Sequence, residues 1–343
     1  MVKKLGSYQE DIHNASSLDL PWQKLKGKNI LITGASGLIG SCIVEILMAR
    51  NEINFNIYVS GRNKEKLLNR FYRYNSYECF HIIEYDVTTQ LDCNIDFHYI
   101  ISAASGASPT LYSTNPTSII KANIYGTDNL LSYGMRHNNE RFVYISSGDI
   151  YGEGDGRIFT EEYSGYVDIL DIRSCYTSSK RAAETLCISY AHQYNMDVCI
   201  ARPCHIYGPC YTDSDTRVYA QFFRNAINNE NIVMKSDGHQ LRSWCYVVDA
   251  AVAILFILLK GECSKAYNIA DDNSNLTIRE FAEIVAKICN KKVVFEDPSL
   301  TEIQGFNRVN KSLFSTKLIK GLGWSISNSI SENLHKTLNE LMN

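Results

Sequence analysis

Short runs that are apolar on both faces recur along the first two hundred residues, separated by helix-length amphipathic stretches. Asn29–Thr33, Ile57–Val59, Phe80–Ile83, Tyr99–Ile101, Phe142–Ile145 and Val198–Ala201 are dominated by Ile, Val and aromatic residues and do not alternate with polar ones. That is the pattern of strands covered on both sides in a parallel sheet. Gly37–Arg50, Asn115–Arg136 and Ser174–Tyr194 lie between such runs and have helix length. The alternation predicts an α/β fold, a doubly wound parallel sheet with right-handed crossovers.

Beyond Pro209 the rhythm changes to a long loop through Asp213-Ser214-Asp215, a helix near Tyr219–Asn228, and isolated strands and helices. This predicts a smaller C-terminal α/β substrate-binding domain seated over the C-terminal edge of the sheet. The apolar run Ala250–Leu259 lies between Asp249 and Lys260. It is too short to span a bilayer and reads as a core helix. Ile330–Leu341 has amphipathic spacing, and residues 1–28 form a polar extension in which Trp22 is expected to pack on the main body.

At roughly 150 residues per domain, 343 residues give about two domains. A net charge of -3 with no long charge run argues against nucleic acid and acidic membranes as partners. Eleven cysteines, an odd number without a CxxC, sit partly in apolar segments such as Val198-Cys199-Ile200, which fits free thiols in a reducing compartment. Met1–Asn14 lacks the apolar core of a signal peptide, so a cytoplasmic location is expected. The eight histidines show no HExxH spacing and have no cysteine partners, so no metal site is expected.

Thr33-Gly34-Ala35-Ser36-Gly37-Leu38-Ile39-Gly40 follows the first strand and opens the first helix, the setting of a dinucleotide-binding loop. Gly34 permits the turn, Gly37 lets backbone N–H groups approach a pyrophosphate, and Gly40 lets the helix pack closely. At the end of the second strand, Val59-Ser60-Gly61-Arg62-Asn63 places a glycine about where a ribose-binding acid belongs, with Arg62 next. A guanidinium there suits a 2'-phosphate, with Ser60 or Lys64 helping. NADP is favoured and NAD is the alternative. Asp86, followed by Val87 after the third strand, is placed to accept from an adenine amino group.

Tyr176 and Lys180 are four residues apart at the start of a predicted helix, so phenol and ammonium share a face. A free tyrosine has a pKa of about 10, and a neighbouring cation with a bound nicotinamide would favour phenolate. Ser147 follows the strand expected beside that helix and can hydrogen-bond a sugar hydroxyl undergoing oxidation. Asp149 offers either a proton-exchanging carboxylate or an aspartate that bonds its own loop.

These motifs resemble the extended short-chain dehydrogenase/reductases that modify nucleotide-linked sugars, the NAD-dependent epimerase/dehydratase family. The likeness runs from Asn29 to the C-terminus through the glycine loop, Ser102-Ala103-Ala104, Asn123 with Gly126-Thr127, Ser147 with Tyr151-Gly152, and Tyr176 with Lys180. It continues through Ala201-Arg202-Pro203, Ile206-Tyr207-Gly208-Pro209, Arg242 and Tyr246-Val247-Val248-Asp249. Arg173-Ser174-Cys175-Tyr176 and Asp215-Thr216-Arg217 look most like the UDP-glucuronate decarboxylase and dTDP-glucose dehydratase branches.

The resemblance implies a Rossmann-type dinucleotide-binding domain over residues 29–204, with a returning segment near 244–270, and a nucleotide-sugar-binding domain over 205–343. It implies Tyr176 as base or acid at a sugar C4, Ser147 as its hydroxyl partner, and Lys180 as ribose clamp. Cofactor contacts are implied at Gly34, Ser36, Gly37, Leu38, Ile39, Gly40, Ser60, Arg62, Asp86, Val87, Ala103, Ala104, Asn123 and Pro203. Substrate contacts are implied at Ser105, Ser147, His205, Arg217 and Arg242, and a homodimer is implied as well. Epimerisation, decarboxylation and dehydration through a 4-keto sugar all fit, in a glycan precursor pathway. An NADPH-dependent reductase of a keto sugar, for example a CDP-linked one, and a non-enzymatic dinucleotide sensor or scaffold are the alternatives. Three departures bear on the choice. Gly148-Asp149 replaces the Asp-Glu pair of the dehydratases, His205 stands where many relatives have Asn, and Gly61-Arg62 replaces the acid after the second strand.

Overall fold

The computed structural model describes residues 7–299, 303 and 309–342. The chain opens with α1 (Ser7–Ser16), β1 (Asn29–Thr33), α2 (Leu38–Met48), β2 (Asn56–Gly61), α3 (Lys64–Arg70), β3 (Phe80–Glu84) and β4 (Tyr99–Ser102). α4 (Pro109–Thr114), α5 (Pro116–Arg136), β5 (Arg141–Ile145), α6 (Ser174–Tyr194) and β6 (Val198–Pro203) follow. Then come β7 (His205–Tyr207), α7 (Val218–Ile227), β8 (Ile232–Met234), β9 (Leu241–Tyr246), α8 (Val247–Lys260) and β10 (Ala266–Ile269). The chain closes with β11 (Asn275–Thr277), α9 (Ile278–Ile288), β12 (Val293–Phe295), β13 (Lys311–Ser312), α10 (Lys317–Gly321) and α11 (Ile330–Met342).

Seven strands form one parallel sheet in the order β10-β6-β5-β4-β1-β2-β3. Strand order reverses at β1, which pairs with β2 on one side and β4 on the other, Thr33 lying level with both Ser60 and Ser102. A crevice therefore opens beyond the C-terminal ends of β1 and β4, where open α/β sheets take their ligands.

The absence of alternation in the strands has a direct cause. Ile30 and Ile32 enter the apolar cluster built with Ile43, Leu47 and Leu255 of α2 and α8, while Leu31 enters the cluster built with Leu130 and Cys187 of α5 and α6. Both faces are covered. Each fully buried aliphatic side chain of this kind contributes about 1.5–3 kcal/mol. The run that ends at Leu259 is α8, buried from Val247 to Leu259 between α2 and strands β5 and β6. No helix among the described residues is long and apolar enough to cross a membrane.

The N-terminal extension is more ordered than its polarity suggests. Tyr8, Ile12 and Ala15 of α1 recur at helical spacing and are buried. Asp11, buried on the same helix, accepts from the Tyr246 hydroxyl at 3.2 Å and pairs with Lys336. Trp22 is 3% exposed and donates to the Leu18 carbonyl at 2.8 Å.

The remaining strands form two smaller sheets. β9 pairs with β7 and β13 in parallel and with β11 antiparallel, while β8 and β12 pair with each other in a separate parallel sheet. These registers set His205 beside Trp244, and Ser312 beside Arg242.

Candidate active site

The loop between β1 and α2 is built for close approach. Gly34 has φ +62°, and a Cβ there would fall 2.7 Å from the Ala103 carbonyl oxygen and 2.8 Å from Ala104 Cα. A Cβ on Gly40 would fall 2.7 Å from the Gly34 carbonyl oxygen. The Ala103 and Ala104 amides donate to Thr33 Oγ1 at 3.2 and 3.3 Å, which locks the two strand ends together. Gly37 opens α2 with no side-chain cap, so the first-turn amides around Leu38 and Ile39 are available to an anion. Ser36 is half-buried in the same loop. This cradle fits a dinucleotide pyrophosphate.

At the second strand the predicted group divides. Arg62 is exposed, whereas Ser60 is fully buried and its hydroxyl has no partner among the described residues. Arg62 and Ser60, the latter named with Lys64 as a possible helper at a 2'-phosphate, therefore lie in different environments. Asp86 accepts from the amide and hydroxyl of Thr88 at 2.9 and 2.8 Å. These bonds and Arg62 help hold its carboxyl below the usual range. Val87 packs against α5, where a Cβ on Gly126 would fall 2.8 Å from Val87 Cγ2. Pro203 is buried at the end of β6.

α6 carries Tyr176 and Lys180 to the end of β5. Lys180 Nζ donates to the Ile145 carbonyl at 2.7 Å and lies 4.7 Å from the Tyr144 ring centre and 5.8 Å from that of Tyr176. The lysine is 2% exposed, and burial pulls its pKa from 10.5 down to about 7, partly opposed by Glu184. Tyr176 is pushed up to about 12 by burial and by Asp149, against a hydrogen bond to the Ser147 side chain that lowers it. The Ser147 hydroxyl also accepts from the Asp149 amide at 3.1 Å. Tyr112 stacks on Tyr176 with ring centres 5.1 Å apart, which fixes the plane of the phenol.

Behind α6, Asn123 bridges two serines. Its Oδ1 accepts from Ser105 at 2.8 Å and its Nδ2 donates to Ser179 at 2.9 Å. The residues expected to touch cofactor and substrate here thus engage one another and hold α5 against α6.

Asp149 does not have the environment of a proton donor. Arg173 Nη2 donates to its Oδ2 at 3.0 Å. Burial raises the carboxyl, but Arg173, His205 and Arg242 outweigh it and hold the group below the usual range. Arg173 also lies over the Tyr112 ring at 5.5 Å. Arg217 is paired internally, its guanidinium donating to both oxygens of Asp215.

Arg242 differs from both. It is 1% exposed and donates to the carbonyls of Leu241 and Val309, and it makes no ion pair among the described residues. Burial drags its pKa down to about 10 despite the field of Asp149. His205 faces the same group: burial and then Arg242 lower its pKa to about 3, and its Nδ1 is buried without a partner among the described residues. A buried guanidinium beside a neutral imidazole with an unused nitrogen is a receptor for an anionic, hydrogen-bonding ligand.

The sequence matches the NAD dependent epimerase/dehydratase family over residues 30–270. The chain belongs to that family. It is 33% identical over 313 residues to UDP-glucuronic acid decarboxylase 2 of Arabidopsis thaliana, covering 91% of this chain and 67% of that one. It is 30% identical over 314 residues to UDP-glucuronic acid decarboxylase 1 of Xenopus tropicalis, covering 91% and 71%. Among solved structures, an epimerase from Methanothermobacter thermautotrophicus superposes with a TM-score of 0.79 at 20% identity, covering 95% and 94% of the two chains. UDP-glucuronic acid 4-epimerase from Bacillus cereus, solved with UDP-glucuronic acid and NAD, superposes at 0.77 and 19% identity, covering 92% and 98%. These superpositions establish the shared fold. Like other members of the epimerase/dehydratase family, the chain is an enzyme that works with a nicotinamide dinucleotide.

Within this family frame, the structure brings Ser147, Tyr176, Lys180 and Asp149 to one end of the sheet and sets His205 and Arg242 over them. It leaves Arg62 at the far side of the glycine loop. Two residues of the constellation were not among the predicted site residues. Arg173 lies three positions before Tyr176, one helical turn away, a spacing that could have flagged it. Tyr112 carries no local signal, because only α4 packing on α5 brings it to Tyr176.

Proposed function

We propose that this enzyme oxidises C4 of a UDP-linked uronic acid, releases the sugar carboxylate as carbon dioxide and restores the C4 hydroxyl. The observation that carries the reading is the gathering of the guanidinium groups of Arg173, Arg217 and Arg242 around Asp149 and Tyr176, with His205 as a neutral hydrogen-bonding neighbour. A nucleotide uronate brings a diphosphate and a carboxylate, and needs that positive field. The decarboxylases at about a third identity support the same choice.

A bound nicotinamide would accept the C4 hydride and return it. Gly34, Gly37 and the first turn of α2 would hold its pyrophosphate, and Lys180 its ribose. Tyr176 takes the C4 hydroxyl proton and gives it back at the end of the cycle, with Ser147 aligning the oxygen. Loss of carbon dioxide breaks the C5–C6 bond of the 4-keto sugar and leaves the electron pair on the enolate spanning C5, C4 and its oxygen. C5 then takes up a proton from solvent. Arg242 meets the substrate diphosphate, and His205 donates or accepts beside it.

Incubation of the purified enzyme with UDP-glucuronic acid and dinucleotide tests this. The expected result is a UDP-pentose of one carbon dioxide less by mass spectrometry, with no net change in cofactor oxidation state. A product of unchanged mass would make the enzyme an epimerase instead.

NADP preference is part of the proposal, supported by exposed Arg62 directly after Gly61 at the end of β2. Arg62→Ala is expected to weaken NADP binding by about tenfold and leave NAD binding unchanged, read by dinucleotide titration. If NAD is bound as tightly as NADP by the unmodified enzyme, the NADP assignment fails. The same arginine supports a second reading, net reduction of a nucleotide-linked keto sugar by NADPH, which would consume cofactor stoichiometrically in the same assay. A homodimer through α5 and α6 is proposed from the exposed Tyr125 and Met135 of one helix and Tyr194 of the other. A cytoplasmic location is proposed from eleven free cysteines.

A further inference from the structure

Between Ser147 and Asp149 the chain has no side chain, and the space one would fill is already taken. A Cβ on Gly148 would fall 2.3 Å from Cζ and 2.5 Å from Cε1 of Phe314. The phenylalanine cannot easily yield. It is 4% exposed, and its ring centre lies 5.7 Å from that of Tyr151 and 5.8 Å from that of Phe159, in an apolar cluster with Ile150 and Ala270.

The strap that delivers Phe314 is tied at several points. Ser312 pairs with Arg242 across β13 and β9, and the Phe314 amide donates to Ser243 Oγ at 3.3 Å. Phe159 N donates to the Leu313 carbonyl at 2.7 Å, and Ser315 N to the Phe159 carbonyl at 2.9 Å. The Val309 carbonyl accepts from Arg242 itself. One segment, residues 309–315, thus links the buried guanidinium to the gap between the two polar residues of the reacting end.

We infer that Phe314 is a specificity-determining side chain: its ring occupies the position of a residue-148 side chain and substitutes an apolar wall for any proton-transfer group there. The inference rests on the decarboxylation reading and sharpens it. Loss of carbon dioxide from a 4-keto uronate needs no acid on the departing group, because the electron pair moves into the enolate and the leaving molecule is neutral. Loss of the C6 oxygen from a 4-keto hexose leaves as hydroxide unless a proton is supplied to it. With Asp149 held ionised by Arg173 and position 148 filled by an arene, the first outcome is open and the second is closed.

The test compares the unmodified enzyme with Gly148→Asp, Phe314→Ala and the double variant, each loaded with dinucleotide. Melting temperature, kcat and KM for UDP-glucuronic acid, and the mass of products from UDP-glucose are read. Gly148→Asp alone is expected to lower the melting temperature and cut kcat/KM by at least about tenfold, the result of overpacking. Adding Phe314→Ala should recover much of the lost melting temperature and yield a dehydrated product from UDP-glucose that the unmodified enzyme does not make. The inference is overturned if Gly148→Asp is as stable and active as the unmodified enzyme. It is equally overturned if the two substitutions couple in stability while the product mass, kcat and KM do not move, for then Phe314 only packs. An unmodified enzyme that does not decarboxylate UDP-glucuronic acid sinks the reading beneath it; one that does, with uncoupled variants, sinks the role of Phe314 alone.

Discussion

Tyr176→Phe should lower kcat by about a thousandfold or more while leaving melting temperature and dinucleotide affinity close to those of the unmodified enzyme. The ring is 6% exposed and stacks on Tyr112 at 5.1 Å, and phenylalanine keeps both the burial and the stack. Only the hydroxyl is removed, with its hydrogen bond to Ser147. Positioned proton transfer is worth about a hundred- to ten-thousandfold in rate, and Arg173, outweighing burial, holds Asp149 below the usual carboxylate range so that it does not deputise as a proton donor. In the empty site burial and Asp149 push the phenol up to about 12, so activity should climb as pH rises through the range where the loaded enzyme forms phenolate. A substitution that retained more than a tenth of the turnover would remove Tyr176 from the reaction. A loss of turnover that followed a loss of cofactor affinity would make the residue part of the binding site only.

The parallel sheet and its helices were legible because burial on both faces writes continuous apolar runs, and Ile30, Leu31 and Ile32 do point into opposite clusters. Ser174–Tyr194 is helical over the whole predicted range, and the glycine loop stands between strand and helix as its spacing demands. α1 was not foreseen, since its buried Tyr8, Ile12 and Ala15 are diluted by polar neighbours and become a face only when α2 and α11 supply the other side. The chemistry was legible where it is local, as at Tyr176 and Lys180 on one helix. It was illegible where it depends on approach from afar. Arg173 disables Asp149 as an acid across a turn and a long loop, and Phe314 reaches Gly148 from the far end of the chain. Ser60 shows a related limit: strand position alone did not reveal that β2 buries its hydroxyl while Arg62 emerges.

Lys180→Met should make the empty protein more stable and the enzyme at least about a hundredfold less active. The ammonium is almost fully buried, held by the Ile145 carbonyl and the faces of Tyr144 and Tyr176, and burial lowers its pKa from 10.5 to about 7. Each pKa unit corresponds to about 1.4 kcal/mol, so the charge is several kcal/mol less favourable in the folded chain than in the unfolded one. Methionine keeps the length and removes the charge. The lost charge-assisted bond to Ile145 returns about 1.5–3 kcal/mol of that gain. Between pH 7 and 10.5 the folded chain binds fewer protons than the unfolded chain, so stability of the unmodified protein rises with pH across this window. Below pH 7 both states carry the proton and the full penalty stands. Thermal melts at successive pH values should therefore show the variant ahead by several degrees at pH 6, with the gap narrowing steadily towards pH 10. A gap that did not change with pH, or a variant less stable at pH 6, would mean that Lys180 is not the strained cation described here. A ribose hydroxyl held by Lys180, as proposed, would restore part of the solvation that burial takes from its ammonium.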